Sequence, residues 1–325
     1  MKAITQDTYG SYEVLSLRDV DHPIIGDKDV LIRVCAAGVD AGVWHLMSGE
    51  PYLLRLMGFG LSAPKVAVRG LDVAGVVEAV GKAVTRFKPG DEVYGNCDGS
   101  FAEYACGHED RLALKPTNLD FVQASVVPIS AVTALKSLRD VGKVQPGQKV
   151  LVIGAAGGVG SFAVQLAKSF GAEVTGVCST SKIELVRSIG ADHVVDYTRE
   201  DFTQAGLRYD LILDTAGNRP LALLRSALTP QGTLVLIGGE GDGRWVGDAV
   251  LRTLRAVLLS PFISQKLIGV FALVGHEDLQ TLTTLIQAGQ IKPIIDTVYP
   301  LSEAAQAIRH QREGRARGKV ALQVA

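Results

Sequence analysis

The sequence predicts an α/β chain in two parts, a β-rich N-terminal region and a doubly wound parallel sheet with helices on both faces. Three observations point there. Short β-branched and apolar strands follow one another closely in the first third, as in a compact barrel or curled sheet. Beyond Val150, continuous Val/Ile/Leu runs alternate with helical stretches, the mark of parallel strands buried on both faces. Between the first of those strands and its helix lies Gly154-Ala155-Ala156-Gly157-Gly158-Val159-Gly160, a loop that brings backbone close to a ligand.

The early strands are Val30–Cys35, Leu71–Val80, Asp91–Tyr94 and Phe101–Cys106, with Phe87-Lys88-Pro89-Gly90-Asp91 as a turn. Ala124 to Val141 is helical in spacing, and Pro146-Gly147 is a turn. Then come strand Val150–Ile153, helix Gly158–Phe170 stopped by Gly171, strand Glu173–Cys178 and helix Lys182–Ile189 stopped by Gly190. Strands at His193–Val195, Asp210–Leu213 and Thr233–Ile237 follow, with a helix at Leu221–Leu228. His276–Ala288 is one more helix. The tail reads as strand Thr297–Tyr299, helix Ser302–Arg312 capped by Ser302, and strand Val320–Val324, returning to the first domain. The expected boundaries are residues 1–122 and 296–325 for the β-rich domain and 123–295 for the parallel sheet.

A chain of 325 residues, 47% hydrophobic and 21% charged, buries a full core, which excludes wholesale disorder. Lys+Arg of 33 against Asp+Glu of 34 leaves a formal charge of −1, which argues against nucleic acid as a partner. Cys35, Cys97, Cys106 and Cys178 form no CxxC pair, so neither a disulfide scaffold nor a zinc knuckle is expected. Met1 to Gly10 has no apolar signal region. The most apolar stretch, Leu251 to Val274, is broken by Arg252, Arg255, Pro261 and Lys266, so no membrane span is expected. The default expectation is a cytoplasmic protein.

The glycine loop sits where a dinucleotide-binding fingerprint would sit. Its backbone amides can approach a pyrophosphate, and the helix start adds unsatisfied donors and a positive dipole end. In that register Ala155 replaces the first glycine, Gly157 is the close-approach glycine, and Gly160 lets helix and strand pack. A plain strand–loop–helix turn is the alternative. NAD-binding versions carry an acid about 20 residues on, for the ribose 2′-OH. Here the next strand ends at Cys178 and Ser179-Thr180-Ser181-Lys182 follows. Hydroxyls and a cation suit a 2′-phosphate, so the expected cofactor is NADP(H), with Ser179, Thr180 and Lys182 at the phosphate. A solvated first-turn lysine is the alternative for Lys182.

Gly70-Leu71-Asp72-Val73-Ala74-Gly75-Val76-Val77, Gly81, and Phe87 through Gly95 resemble the N-terminal signature of medium-chain dehydrogenases/reductases. Ala131-Val132-Thr133-Ala134 and Pro146-Gly147-Gln148, leading into the glycine loop, extend the likeness over essentially the whole chain. The resemblance implies a GroES-like catalytic domain, a Rossmann domain and a cofactor in the cleft between them. It is nearest to the zinc-free, quinone oxidoreductase-like branch, which usually forms homodimers. Zinc-dependent alcohol dehydrogenases have a cysteine where this chain has Gly38-Val39-Asp40 and a His-Glu pair where it has Leu71-Asp72. The four-cysteine structural zinc lobe is missing as well. The expectation is therefore no metal.

That branch usually carries Gly-x-Asn-x-x-Asp-x-Tyr; this chain reads Gly38-Val39-Asp40-Ala41-Gly42-Val43-Trp44-His45. The resemblance puts Asp40 and Thr133 at the nicotinamide ribose or substrate. A bare carboxylate there would favour the oxidised ring and slow acceptor reduction. An Asp40 facing the site is thus expected to be hydrogen-bonded or partly protonated; otherwise it is a loop cap. His45 is a candidate proton donor, or a histidine bonded to backbone. Tyr52 stands at the mouth of the site, or packs on the Leu-rich segment after it. Tyr197 resembles the family tyrosine at the 2′-phosphate. Asn218 and Gly238, in Asp214-Thr215-Ala216-Gly217-Asn218 and Ile237-Gly238-Gly239, end two strands at the ligand edge of the sheet. Gly243 to Gly269 is a long connection that lines an acceptor pocket, covers a dimer partner or simply packs.

The expected activity is hydride transfer from NADPH to a quinone or α,β-unsaturated carbonyl. An enoyl reductase, a zinc-free alcohol dehydrogenase and a non-catalytic NADPH-binding redox sensor are the alternatives.

Overall fold

The computed structural model describes residues 1–203, 206–238 and 245–325. They form two compact units, Met1–Val132 with Leu273–Ala325, and Thr133–Ala272.

In the first unit, β1 (Lys2–Thr5) pairs with β2 (Ser16–Asp19). The long strand β3 (Asp29–Val39) buries Val30, Ile32 and Val34 and turns Leu31 and Arg33 outward, the period of two of a half-buried strand. Helix α1 (Ala41–Ser48) follows directly. Strands β4 (Asp72–Val80), β5 (Glu92–Asn96), β6 (Tyr104–His108) and β7 (Leu112–Leu114) complete the early sheet. Gly75 of β4 is required, because a Cβ there would lie 2.2 Å from the Arg33 carbonyl oxygen on β3. Phe101 was predicted to open a strand; the continuous strand starts at Tyr104, and before it Ala102 forms an isolated bridge with Ala3 while Phe101 is fully buried in the core around α1.

The predicted helix Ala124–Val141 is divided. Helix α2 (Phe121–Ser125) starts at an Asp120/Gln123 capping box, and α3 (Pro128–Lys136) starts at a proline. Pro128 has no N–H to continue the first helix and restricts Val127 before it.

The second unit runs β8 (Lys149–Ile153), α4 (Gly158–Ser169), β9 (Glu173–Cys178), α5 (Ile183–Ser188), β10 (His193–Asp196) and β11 (Tyr209–Asp214). It continues with α6 (Leu221–Ser226), β12 (Leu228–Leu236), α7 (Asp248–Leu259) and β13 (Lys266–Gly269). All pairings are parallel, in the order β10-β9-β8-β11-β12-β13. The order reverses at β8, so the carboxyl ends of β8 and β11 flank the crevice where ligands sit in such sheets.

The chain then returns to the first unit with α8 (His276–Gln287), β14 (Ile295–Pro300), α9 (Ala304–Arg312) and β15 (Lys319–Gln323). β15 pairs with both β14 and β3, so the last strand lies beside one of the first. The sequence grouped α8 with the parallel sheet. It packs in the first unit, where Tyr94 Oη donates to the Leu279 carbonyl (2.7 Å) and Asn118 to that of Ile286 (2.9 Å). Ser302 is not the cap of α9: buried Leu301 opens a 3₁₀ turn, Leu301–Glu303, and moves the helix start to Ala304.

Candidate active site

The turn after β8 is built for close backbone approach. Gly154 has φ +81°, and the Gly154 and Ala155 amides both donate to the Val177 carbonyl at the end of β9 (3.1 and 3.0 Å). Ala155 is tolerated in a glycine place because it faces Gly176, the glycine of β9. Gly157 takes the N-cap position of α4 without a side-chain cap. The first-turn amides of Gly158, Val159 and Gly160 therefore have no acceptor within their helix. A Cβ on Gly160 would lie 2.1 Å from the Gly154 carbonyl oxygen. This uncapped helix start, closed by a backbone-to-backbone contact, fits a dinucleotide pyrophosphate.

Ser179, Thr180, Lys182 and Tyr197 come together at the carboxyl ends of β9 and β10, where the Tyr197 amide donates to the Cys178 carbonyl (3.1 Å). The sequence missed their neighbour. Asp196, buried at the end of β10, accepts from the Thr180 hydroxyl and from the Thr198 amide and hydroxyl (3.0 and 2.7 Å). Those bonds, the Thr180 one foremost, hold its carboxyl below the usual range. Thr180 thus commits its proton to Asp196. Arg199, largely exposed with Nε 3.6 Å from Asp196, adds a cation to this edge.

At the end of β11, Asp214 is fully buried, with the Gly217 amide on one oxygen (3.0 Å) and Arg252 Nη2 on the other (2.6 Å). Asn218 follows this anchored turn and is exposed; Gly238, at the end of β12, has φ +72°. Gly239 and Gly243 lie outside the described residues.

Asp40 holds the N-cap position of α1 yet its side chain caps nothing. It turns into the first unit, where Lys319 Nζ of β15 binds Oδ1 and Ser130 Oγ donates to the same oxygen (3.1 Å). Lys319 also bonds Ser130 (2.9 Å). Asp72 of β4 lies within hydrogen-bonding reach of Asp40 and accepts from the Ile129 amide (3.0 Å) and Asn96 Nδ2 (3.4 Å). Burial alone would raise the Asp40 carboxyl, but the Lys319 ammonium and the surrounding hydrogen bonds hold it below the usual range. Asp72 goes the other way: burial first, then the Asp40 charge, push it well above. Asp72 is thereby pushed towards its protonated form, which limits the negative charge that Lys319 must balance.

A stability test follows. The folded chain keeps on Asp72 a proton that the unfolded chain releases above the ordinary value of about 3.9, so this group's contribution declines as pH rises beyond it. Asp72→Asn, which mimics the protonated acid, is expected to remove that decline. Urea midpoints across the pH range check it; an unchanged slope contradicts it.

His45 lies on α1 with Nδ1 2.9 Å from the Glu50 carbonyl, so Nδ1 carries the proton and Nε2 is left as the second site. Tyr52 is covered by the Arg55 guanidinium, 4.5 Å from its ring centroid, and the same group covers Tyr9 at 4.3 Å. Thr133 is buried on α3. The residues at the family's zinc position do not fit that ion: Lys319 already neutralises Asp40, and Leu71 offers no donor. Among the described residues no group of three or more His, Cys, Asp or Glu is arranged to hold a metal.

Comparisons with known proteins place this geometry. Residues 26–117 match the alcohol dehydrogenase GroES-like domain, and residues 189–322 the zinc-binding dehydrogenase model. The chain is 35% identical to 2-methylene-furan-3-one reductase of Solanum lycopersicum, over 99% of this chain and 79% of the relative. It is 33% identical to a quinone oxidoreductase of Sus scrofa, over 99% and 97%. Among solved structures it is similar to the quinone oxidoreductase of Coxiella burnetii, with TM-score 0.86 and 27% identity over 100% and 99% of the two chains. The chain belongs to the medium-chain dehydrogenase/reductase superfamily, in its quinone oxidoreductase-like branch. Its relatives are oxidoreductases, some of them chloroplastic or mitochondrial, so they lend no support to a cytoplasmic address. No helix among the described residues is long and apolar enough to cross a membrane.

Proposed function

We propose that this chain is an NADPH-dependent, metal-free oxidoreductase that reduces a quinone or an α,β-unsaturated carbonyl. The observation that carries the reading is the Lys319 ammonium seated on Asp40, where relatives of the zinc-dependent kind place a metal ligand. Without a Lewis acid, forming an alkoxide from a simple alcohol is disfavoured, whereas a quinone or enone is already electrophilic. The similarity to an NADPH-dependent alkenal/one oxidoreductase of Arabidopsis thaliana, 33% identical over 99% of this chain, supports the same class. An enoyl thioester belongs to that acceptor class, and similarity to CurK enoyl reductase (25% identity, TM-score 0.86) keeps it there.

NADPH would supply the hydride. The amides of Gly158, Val159 and Gly160, with Gly154, Ala155 and Gly157 shaping the turn, hold the pyrophosphate. Ser179, Lys182 and Tyr197 surround the 2′-phosphate, Thr180 is held in place by Asp196, and Arg199 adds charge. The backbones at Asn218 and Gly238 serve the nicotinamide half. Asp40, kept ionised but neutralised by Lys319, orients with Thr133 without placing a bare charge on the ring. In its doubly protonated form His45 can pass a proton from Nε2 to the reduced acceptor, and Tyr52 borders its entrance. A homodimer is part of this reading, and sedimentation tests it.

The cofactor assignment is tested by NADPH and NADH affinities of the wild type and Lys182→Ala. The wild type is expected to prefer NADPH. The variant is expected to bind NADPH about tenfold more weakly, with NADH little changed. An unaltered preference would overturn the phosphate assignment.

A further inference from the structure

We infer that the cavity beside Arg69 in the first unit binds the carboxylate end of a compact apolar acceptor. The inference rests on the reductase reading and adds the class of acceptor. The cavity measures about 320 Å³, the size of a small-ligand pocket. Val43 and Leu46 of α1, Phe59 and Leu71 give it an apolar wall. Its charged lining is Arg69, Lys65 and Asp98.

Arg69 is the anomaly. It is only 4% exposed, and its Nε has no hydrogen-bond partner among the described residues. Nη1 donates to the Leu46 carbonyl (3.2 Å), a neutral acceptor. Among the described residues no carboxylate forms an ion pair with it; Asp98 and Tyr9 act on it only through space. Burial lowers its pKa to about 10, the signature of a desolvated cation short of an anion. Burying an arginine unpaired is costly, and a planar carboxylate is the group its fork of donors matches best. Lys65, exposed at the same cavity, makes no ion pair among the described residues and supplies a second positive charge. The cavity also borders the site already described. Val43 and Leu46 lie on the helix that Asp40 begins, and Leu71 adjoins Asp72. An acceptor with its carboxylate at Arg69 would lay its apolar body along α1 towards that end.

The test compares an α,β-unsaturated ketone with its carboxylated analogue of equal length, using NADPH and the full chain. The wild type is expected to favour the carboxylated acceptor in kcat/KM. Arg69→Met is expected to shrink that preference by about ten- to a hundredfold, chiefly through KM. Lys65→Gln is expected to shrink it severalfold and to flatten its dependence on salt. Equal kcat/KM for both acceptors in the wild type, or an undiminished preference in Arg69→Met, overturns the inference. If Arg69→Met does not fold, Lys65→Gln decides: an unchanged preference and salt dependence overturn it. If the wild type reduces neither acceptor, the reductase reading fails separately. Calorimetry with the saturated acid against its amide then still decides on the cavity: selective binding of the acid supports it, and equal or no binding overturns it.

Discussion

Gly160→Ala is expected to remove dinucleotide binding while leaving a folded chain. The new methyl would meet the Gly154 carbonyl oxygen at 2.1 Å, the Gly154 carbonyl carbon at 2.8 Å and Ala155 Cα at 2.9 Å. All three are backbone atoms of the same loop, so no side chain can swing away. Either α4 lifts from the turn or the turn is pushed off the end of β8, and both displace the amides that would face the pyrophosphate. Overpacking of this kind costs about 1–3 kcal/mol of stability. The loss of aligned donors is expected to weaken NADPH by more than about tenfold. Gly275→Ala is the control: its methyl would meet only Asp278 Oδ2, at an ordinary 3.7 Å, and φ is −129°. Calorimetric titration with NADPH and thermal melts distinguish the two variants. Undiminished affinity in Gly160→Ala would mean that the loop is not the cofactor's seat.

Lys319→Met is expected to have the largest effect on stability. It leaves Asp40 ionised, buried and without its counter-ion, beside a second carboxyl. Removing one partner of a buried pair costs about 3–5 kcal/mol. The pH dependence identifies the cause. In the wild type Asp40 is held low, so its contribution is present above the unfolded value of about 3.9 and is lost as pH falls through the lower folded value. Without Lys319, burial, the largest influence, raises Asp40 against only the hydrogen bonds from Asp72 and Ser130. The variant then loses stability as pH rises, and its deficit is smallest in acid. Asp40→Asn in the Lys319→Met background removes the stranded charge and is expected to restore most of the loss. Urea unfolding of the single and double variants at about pH 5 and about pH 8 checks this. A double variant no more stable than Lys319→Met would contradict the account.

The parts of this molecule that sequence made legible are local in the chain. Strand Glu173–Cys178 was predicted with its observed ends, because a β-branched run lies between Gly171 and a hydroxyl-rich turn. The glycine loop was legible for the same reason, since strand, loop and helix are contiguous. Asp40 was singled out, but its partner Lys319 lies 279 residues away and meets it only because β15 pairs with β3. Asp196 escaped notice because it belongs to the next strand, and only the β9–β10 register brings it under Thr180. Arg69 sits in a stretch whose pattern gives no sign that its guanidinium is buried. Helix α7 was read only as an interrupted apolar run, since Arg252 and Arg255 break the run without breaking the helix.

The most direct test of the central claim uses NADPH carrying deuterium on the transferable position of its nicotinamide ring. The chain is incubated with an α,β-unsaturated ketone in buffer containing a metal chelator. Direct hydride transfer without a metal predicts that the label appears on the carbon β to the carbonyl of the saturated product, at a rate the chelator does not alter. Oxidation of NADPH that leaves the product unlabelled, or a reaction abolished by the chelator and restored by zinc, would contradict it.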